Sequence, residues 1–186
     1  MKARNPFLNR IVAALVLIFA VSGGAWAQTA DLDALFEKLK SADAREARRV
    51  EKDIWLHWSR SGSAAFDLLL ERGRKAMEQG DPEAAIEHLT ALTDHAPEFA
   101  EGWNARATAY FQAGQYGPSV ADIQRVLAMN PRHFGALAGF GAILEELGRP
   151  DQALEVYRAA LAIHPNLDGV RQAVERLEQA EAGQEL

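Results

Sequence analysis

The 186-residue sequence contains no cysteine. This absence excludes structural disulfides, thiolate metal sites and a cysteine nucleophile. Only five histidines occur, and no two of them have the i, i+4 spacing that lets one helix face bind zinc. No serine lies in the Gly-x-Ser-x-Gly sequence of a nucleophile elbow. We therefore expect a protein without a cofactor, without a metal site and without enzyme activity.

The apolar run near the N-terminus is too short to cross a bilayer. Ile11–Val21 has 11 residues, whereas a spanning helix needs about 20. Basic residues precede the run, and small residues at positions 25 and 27 follow it, which is the pattern of a secretory signal peptide. We expect residues 1–27 to be removed by cleavage between Ala27 and Gln28, with the mature protein in a bacterial periplasm. The alternative is that the segment is kept as an N-terminal anchor.

Positive charge is scarce in the rest of the chain. Three of the 20 basic residues and none of the 26 acidic ones lie in residues 1–27, so 17 basic residues face 26 acidic ones and the net charge is −9. A domain with this charge repels nucleic acid phosphates and anionic headgroups. The composition therefore excludes nucleic acid as a partner and membrane binding by the mature domain.

Three copies of one 34-residue unit occupy the middle of the chain, at Phe66–Phe99, Ala100–His133 and Phe134–Leu167. Prolines near the ends of the units and glycines at mid-unit recur with this period. They are Pro97, Pro131 and Pro165, and Gly80, Gly114 and Gly148. A repeat of this length predicts a solenoid, in which each unit buries its apolar face against its neighbours.

Each unit has the pattern of two helices joined by a turn. In the middle copy Trp103, Ala107 and Tyr110 have the i, i+4, i+7 spacing of one helical face. Gly114 then marks the end of the first helix, and Pro131 lies beyond the second. Small residues recur where the two helix backbones must approach closely. They are Gly73, Ala107 and Gly141 in the first helices, and Ala85, Ser119 and Ala153 in the second.

This pattern resembles the tetratricopeptide repeat (TPR) over about 102 of the 186 residues. The resemblance implies an all-α solenoid of three helical hairpins. One departure concerns the position just before the small residue of the first helix, where the family has leucine and this chain has Arg72 and Arg106. We expect both arginines to lay their stems on the core and to keep their charged heads in water.

Helical segments flank the repeats on both sides. Residues 28–63 are predicted to form a helical hairpin, a cap or degenerate repeat, whose Trp55 and Trp58 cover the open end of the first repeat. The alternative role for these two tryptophans is an aromatic ligand site. Residues 168–186 are predicted to be a C-terminal capping helix and a short tail.

The resemblance also implies a concave groove, lined by positions 2, 5, 9 and 12 of each unit's first helix. The groove positions that offer a ligand-binding side chain are Arg74, Met77, Asn104, Thr108 and Phe111, with Arg132 and His133 near the rim. Some family members hold a peptide carboxylate with a Lys/Asn clamp, of which this chain keeps only Asn104, so we do not expect that partner class. Arg74 would favour an acidic or C-terminal ligand group. The competing interpretation is a solvated helix face.

Two functions remain open from the sequence. The first is a non-enzymatic periplasmic adaptor or scaffold that binds a protein or peptide segment in its groove, and the resemblance suggests a role in cell-envelope assembly. The second is a structural module that self-associates through its repeats or its N-terminal hairpin. The sequence leaves the partner and the oligomeric state open.

Overall fold

The computed structural model describes residues 31–184, and this part of the chain contains helices but no strand. The all-α prediction is confirmed. The nine helices within it are α1 (31–41), α2 (Ala44–Trp58), α3 (Ala64–Glu78), α4 (Pro82–His95), α5 (Ala100–Gln112), α6 (Tyr116–Met129), α7 (Phe134–Glu146), α8 (Pro150–Ile163) and α9 (Asp168–Gln184). None of these helices is both long and apolar enough to span a membrane. The predicted signal peptide, residues 1–27, lies outside the described residues.

The three 34-residue units contain the helix pairs α3–α4, α5–α6 and α7–α8. In each pair a glycine with positive φ ends the first helix, at Gly80, Gly114 and Gly148. At Gly114, where φ is 70°, the glycine N–H bonds the carbonyl of Phe111 and the Gln115 N–H bonds that of Tyr110. This is a Schellman turn, which requires the left-handed conformation that glycine adopts at least cost. The turn reverses the chain so that the two helices pack side by side.

Small residues allow the paired helices to approach closely. A Cβ on Gly73 would lie 2.5 Å from Leu89 Cγ, and a Cβ on Gly141 would overlap the ring of Tyr157. In the middle pair the hydroxyl of Ser119 donates a 2.7 Å hydrogen bond to the carbonyl of Ala107. A larger side chain at these positions would separate the helices of a pair.

Arg106 corrects the expectation that both arginines before the small residues keep their heads in water. Its side chain is only 12% exposed. Its guanidinium forms a bidentate ion pair with the carboxylate of Asp122, in which Nε donates to Oδ2 at 2.7 Å and Nη2 donates to Oδ1 at 2.9 Å. It also lies 4.7 Å from the ring centroid of Trp103. Arg72, by contrast, is exposed. Arg106 is buried because a carboxylate of the second helix faces it, a pairing between helices that the repeat pattern does not reveal.

The N-terminal hairpin does not cover the open end of the first repeat, as the sequence had suggested. Its helices pack on each other through a cluster of buried apolar side chains, which are Phe36, Leu39, Ala47, Val50 and Ile54. The repeat residues that join this cluster are Phe134, Ile163 and Leu167, all of which lie in or beside the third repeat. The hairpin therefore folds back across the solenoid.

Helix α9 lies against the last helix pair. Its Val170, Ala173 and Leu177 are buried in one cluster with Leu144 and Tyr157 of the third repeat. The polar side chains of α9 face outward, which is the arrangement that a terminal helix of a solenoid requires.

Candidate functional site

The first helices of the three repeats, α3, α5 and α7, lie side by side and form one face of the solenoid. Of the side chains predicted to line this face, Thr108 is exposed, Met77 and Phe111 are half-buried, and Asn104 is buried. The N-terminal end of α7 is covered by the hairpin. The predicted groove is therefore open along only part of its length.

Two tryptophans of α2 make the contact with this face. The ring of Trp55 lies over Gly135, where a Cβ would stand 2.8 Å from its Cη2 atom. The ring of Trp58 stacks on the imidazole of His133, with 4.1 Å between centroids and 15° between planes. Because Gly135 has no side chain, the indole of Trp55 can lie directly on the backbone of α7.

His133 was expected near the groove rim, but the structure places it in the interior with no exposed surface. Its Nδ1 accepts a 3.1 Å hydrogen bond from the N–H of Ala136 and so caps the start of α7. A ring nitrogen that accepts carries no proton, so in the neutral imidazole Nε2 holds the hydrogen. Nε2 lies 3.1 Å from Oε2 of Glu101 and donates to it. Burial and two hydrogen bonds exclude His133 from direct contact with a groove ligand.

Glu101 connects the three repeats at this point. Its carboxylate, on a residue only 3% exposed, pairs with Arg74 of the first repeat at 2.5 Å and accepts from the amide of Asn104 at 3.3 Å. The Arg74 guanidinium also bonds the hydroxyl of Ser59, at 3.1 Å. The charge of Arg74, whose side chain is 37% exposed, is thus compensated by the buried carboxylate of Glu101. The expectation that Arg74 would attract an acidic ligand group is not supported by this geometry.

Sequence reasoning placed Glu101 on this face but gave it no role. The signal that could have found it is charge complementarity between neighbouring units, since Arg74 is at position 9 of one repeat and Glu101 at position 2 of the next. Stacking brings such positions together.

Arg132 contacts the hairpin and not the open groove. Its guanidinium forms a 2.6 Å ion pair with Asp33 and lies 4.2 Å from the ring centroid of Phe36. Both partners belong to α1. Arg132 therefore helps to hold the hairpin on the solenoid.

A second buried histidine meets the hairpin near the end of the third repeat. His164 has no exposed surface, and its Nε2 lies 3.3 Å from Oε2 of Glu51 on α2. The neighbouring imidazole holds the pKa of Glu51 below its ordinary value. Next to it, the amide of Asn166 donates a 3.0 Å hydrogen bond to the carbonyl of Ala42. The hairpin thus contacts the solenoid from Arg74 in the first repeat to Asn166 at the end of the third.

The open part of the groove is a small cavity between α5 and α7, with a volume of about 70 Å³. It is lined largely by apolar atoms, and its lining includes Asn104, Thr108, Phe111, Gly135, Gly139 and Ile143. The structure thus brings together three of the predicted groove residues, namely Asn104, Thr108 and Phe111. Arg74, Met77, Arg132 and His133 lie outside this cavity.

No group of three acidic, histidine or cysteine side chains within residues 31–184 is arranged to hold a metal ion.

The profile of the tetratricopeptide repeat family matches residues 70–117 and 105–168. The chain is a TPR protein. It is 39% identical over 153 residues to a TPR repeat-containing protein of Rhizobium etli, a match that covers 82% of this chain and 75% of that protein.

Other relatives are longer proteins that match over a smaller part of their length. The TPR chain is 28% identical over 121 residues to the Hsp70-Hsp90 organizing protein 1 of Glycine max. This match covers 63% of the chain but only 21% of the soybean protein.

Solved structures show the same architecture. The first TPR of Spaghetti (RPAP3), solved bound to an HSP90 peptide, is 27% identical, has a TM-score of 0.61, and covers 64% of this chain and 98% of its own. The crystal structure of MamA, at 22% identity and a TM-score of 0.59, covers 78% of this chain and 83% of its own. The likeness to MamA shows the fold alone. The prediction of a TPR solenoid is confirmed.

Proposed function

We propose that this TPR protein is a non-enzymatic adaptor that binds a short protein segment in the open part of its groove. The observation that carries the proposal is the cavity between α5 and α7, where Phe111 offers apolar surface beside Thr108. The TPR of Spaghetti, similar in fold over most of its own length, binds a peptide of HSP90, which supports a peptide as the ligand class.

The chemistry of the cavity favours an uncharged, apolar segment. Arg74 is paired with Glu101, which compensates its positive charge. The Thr108 hydroxyl donates to the carbonyl of Asn104 and keeps its own oxygen as an acceptor for a ligand N–H. Gly139 leaves the facing wall low, so a ligand backbone can approach closely there.

We place this activity outside the cytoplasm, in a bacterial periplasm, with a role in cell-envelope assembly. This part of the proposal is supported by the basic, apolar and small-residue order of residues 1–27. The matched relatives leave the compartment and the pathway open, so the compartment and the pathway are to be tested by experiment.

The experiment is crosslinking in intact cells followed by purification of the tagged protein, with wild type and three variants compared. Phe111→Ala removes the aromatic side of the cavity. Gly139→Leu fills the cavity without a clash at Cβ, because the nearest heavy atom lies 4.0 Å away. Gly117→Leu is the matched control, since a Cβ there meets nothing within 4 Å and the residue is exposed.

We expect Phe111→Ala and Gly139→Leu to lose the proteins that wild type and Gly117→Leu retain, with melting temperatures showing that all four are folded. An anchor of this kind typically contributes about 2 kcal/mol or more to binding. Full retention by both cavity variants would exclude the cavity as the binding site.

A further inference from the structure

The contact between α2 and the solenoid has the geometry of a bound ligand helix. We define the seam as the solenoid surface under α2, which consists of His133, Phe134, Gly135, Ile163, His164 and Leu167. These residues contact or cluster with the hairpin. The seam shares only Gly135 with the open cavity.

Helix α2 presents three side chains to the seam at i, i+4 and i+7, the spacing of one helix face. Glu51 faces His164, Trp55 lies on Gly135, and Trp58 stacks on His133. The indole N–H of Trp55 also reaches back to Glu51, at 3.4 Å. Each of the three therefore has its own counterpart on the solenoid, as the anchors of a helix in a binding groove do.

The contact between α2 and the seam leaves a buried polar atom without a hydrogen bond. Within residues 31–184 the indole Nε1 of Trp58 is buried without a hydrogen-bond partner, and its ring lies against the seam. A buried polar atom without a partner opposes the burial that encloses it. The apolar cluster of the hairpin meets the apolar side chains Phe134, Ile163 and Leu167 of the solenoid. Release of α2 would hydrate Trp58 Nε1 and leave the helix pairs of the repeats intact.

We propose that the seam is a binding site for an amphipathic helix that presents a carboxylate and two aromatic side chains at i, i+4 and i+7. In this chain α2 occupies the site. A partner helix of the same chemistry binds there by displacing the hairpin. The inference goes beyond the proposed function, and because it does not involve Phe111, either one can fail alone.

The test uses the full chain and a synthetic peptide with the sequence of residues 44–60, which contains α2. In one variant, Trp55→Ala with Trp58→Ala weakens the docked hairpin. In a second, Ala42→Cys with Asn166→Cys is designed to lock it with a disulfide across the contact between these residues, and the chain has no other cysteine to compete. Intact mass shows the disulfide, and melting curves show that the repeats are folded. The control peptide replaces both tryptophans with alanine.

We expect the peptide to bind the weakened variant at least ~10-fold more tightly than wild type, because a docked hairpin reduces the open fraction of sites. The locked variant should bind no peptide until it is reduced, and the control peptide should bind none of the proteins. Equal affinity for wild type, weakened and locked proteins would overturn the proposal, as would no binding to a weakened variant whose repeats are folded.

Hydrogen exchange of the wild-type chain gives a second, variant-free measurement. If the hairpin opens on its own, the amides of α2 exchange at least ~10-fold faster than those of α5 and α7, because local opening needs less free energy than global unfolding. Equal exchange of α2 and α5 would show that the hairpin opens only when the whole chain unfolds, and would also overturn the proposal.

Discussion

The carboxylate of Glu101 and the imidazole of His133 are hydrogen-bonded at 3.1 Å in the interior of the solenoid. Glu101 lies in the first turn of α5, and His133 caps α7. The bond therefore ties the second repeat to the start of the third. On its far side His133 stacks on Trp58, so the same imidazole also supports the hairpin.

Glu101→Ala should lower the free energy of unfolding by about 1–3 kcal/mol, because it leaves buried donors of His133 and Asn104 without an acceptor. Urea unfolding followed by circular dichroism measures the change. The control is Glu98→Ala at an exposed position of the same repeat boundary, which should stay within about ±0.5 kcal/mol. Equal stabilities of the two variants would contradict the role assigned to Glu101.

Arg106→Leu restores the residue that the TPR family has at this position, yet it should destabilise this chain. The substitution leaves the carboxylate of Asp122, whose side chain is 6% exposed, without its ion-pair partner. Removing one partner of a buried ion pair lowers the free energy of unfolding by about 3–5 kcal/mol. The double variant Arg106→Leu, Asp122→Ala also removes the unpaired buried charge and should recover most of the lost stability. The midpoint of denaturant unfolding reports both values. A double variant no more stable than Arg106→Leu alone would disprove this account.

Gly141→Leu should destabilise the third repeat by about 1–3 kcal/mol or more, because the new side chain has to displace the ring of Tyr157. Glu155→Ala, on an exposed position of α8, is the control and should be nearly neutral. Glu145 would be a poor control, since its carboxylate accepts a 2.8 Å hydrogen bond from the Tyr157 hydroxyl. Melting temperatures compare the variants, and similar values would place Gly141 outside the helix contact.

Asp67 should titrate below the ordinary aspartate value. The hydroxyl and the N–H of Ser61 both donate to its carboxylate, at 2.6 and 2.8 Å, and they lower its pKa. A depressed pKa means that the stabilisation is complete above the unfolded value of about 3.9 and is lost as the pH falls through the lower folded value. NMR titration should give the low pKa, and Ser61→Ala should raise it. The stability difference between wild type and Asp67→Asn should shrink as the pH falls over the same range.

The mature protein should begin at Gln28. Small residues at positions 25 and 27, behind an 11-residue apolar run, motivate this prediction. Intact mass of protein purified from the envelope fraction measures the N-terminus directly. A mass that includes residues 1–27 would identify an anchored protein instead.

The helices of the repeats could be predicted because their determinants are local. The glycine that ends each first helix and the small residues of each helix pair recur with the period of the unit, and the turn at Gly114 forms as its sequence predicts. Position in the unit is enough to identify such residues. No knowledge of distant partners is needed.

The candidate site was less predictable because its geometry depends on residues that are far apart in sequence. The position of His133 in its unit suggested the groove rim, but Trp58 and Glu101 enclose it, and neither is local. Arg74 was expected to be free for the same reason. The cavity at Asn104, Thr108 and Phe111 was anticipated because it lies within one helix and its stacked neighbour.

The docked hairpin also sets an order of folding. Most contacts of a repeat solenoid are between near neighbours, which favours rapid folding. The bond from Asn166 to Ala42, in contrast, joins residues 124 positions apart. The hairpin is synthesised first, but the surface that receives it is complete only after the third repeat has formed. During synthesis, Trp55 and Trp58 therefore stay without their solenoid contacts until nearly the whole chain has emerged, and their burial reports the last step of assembly.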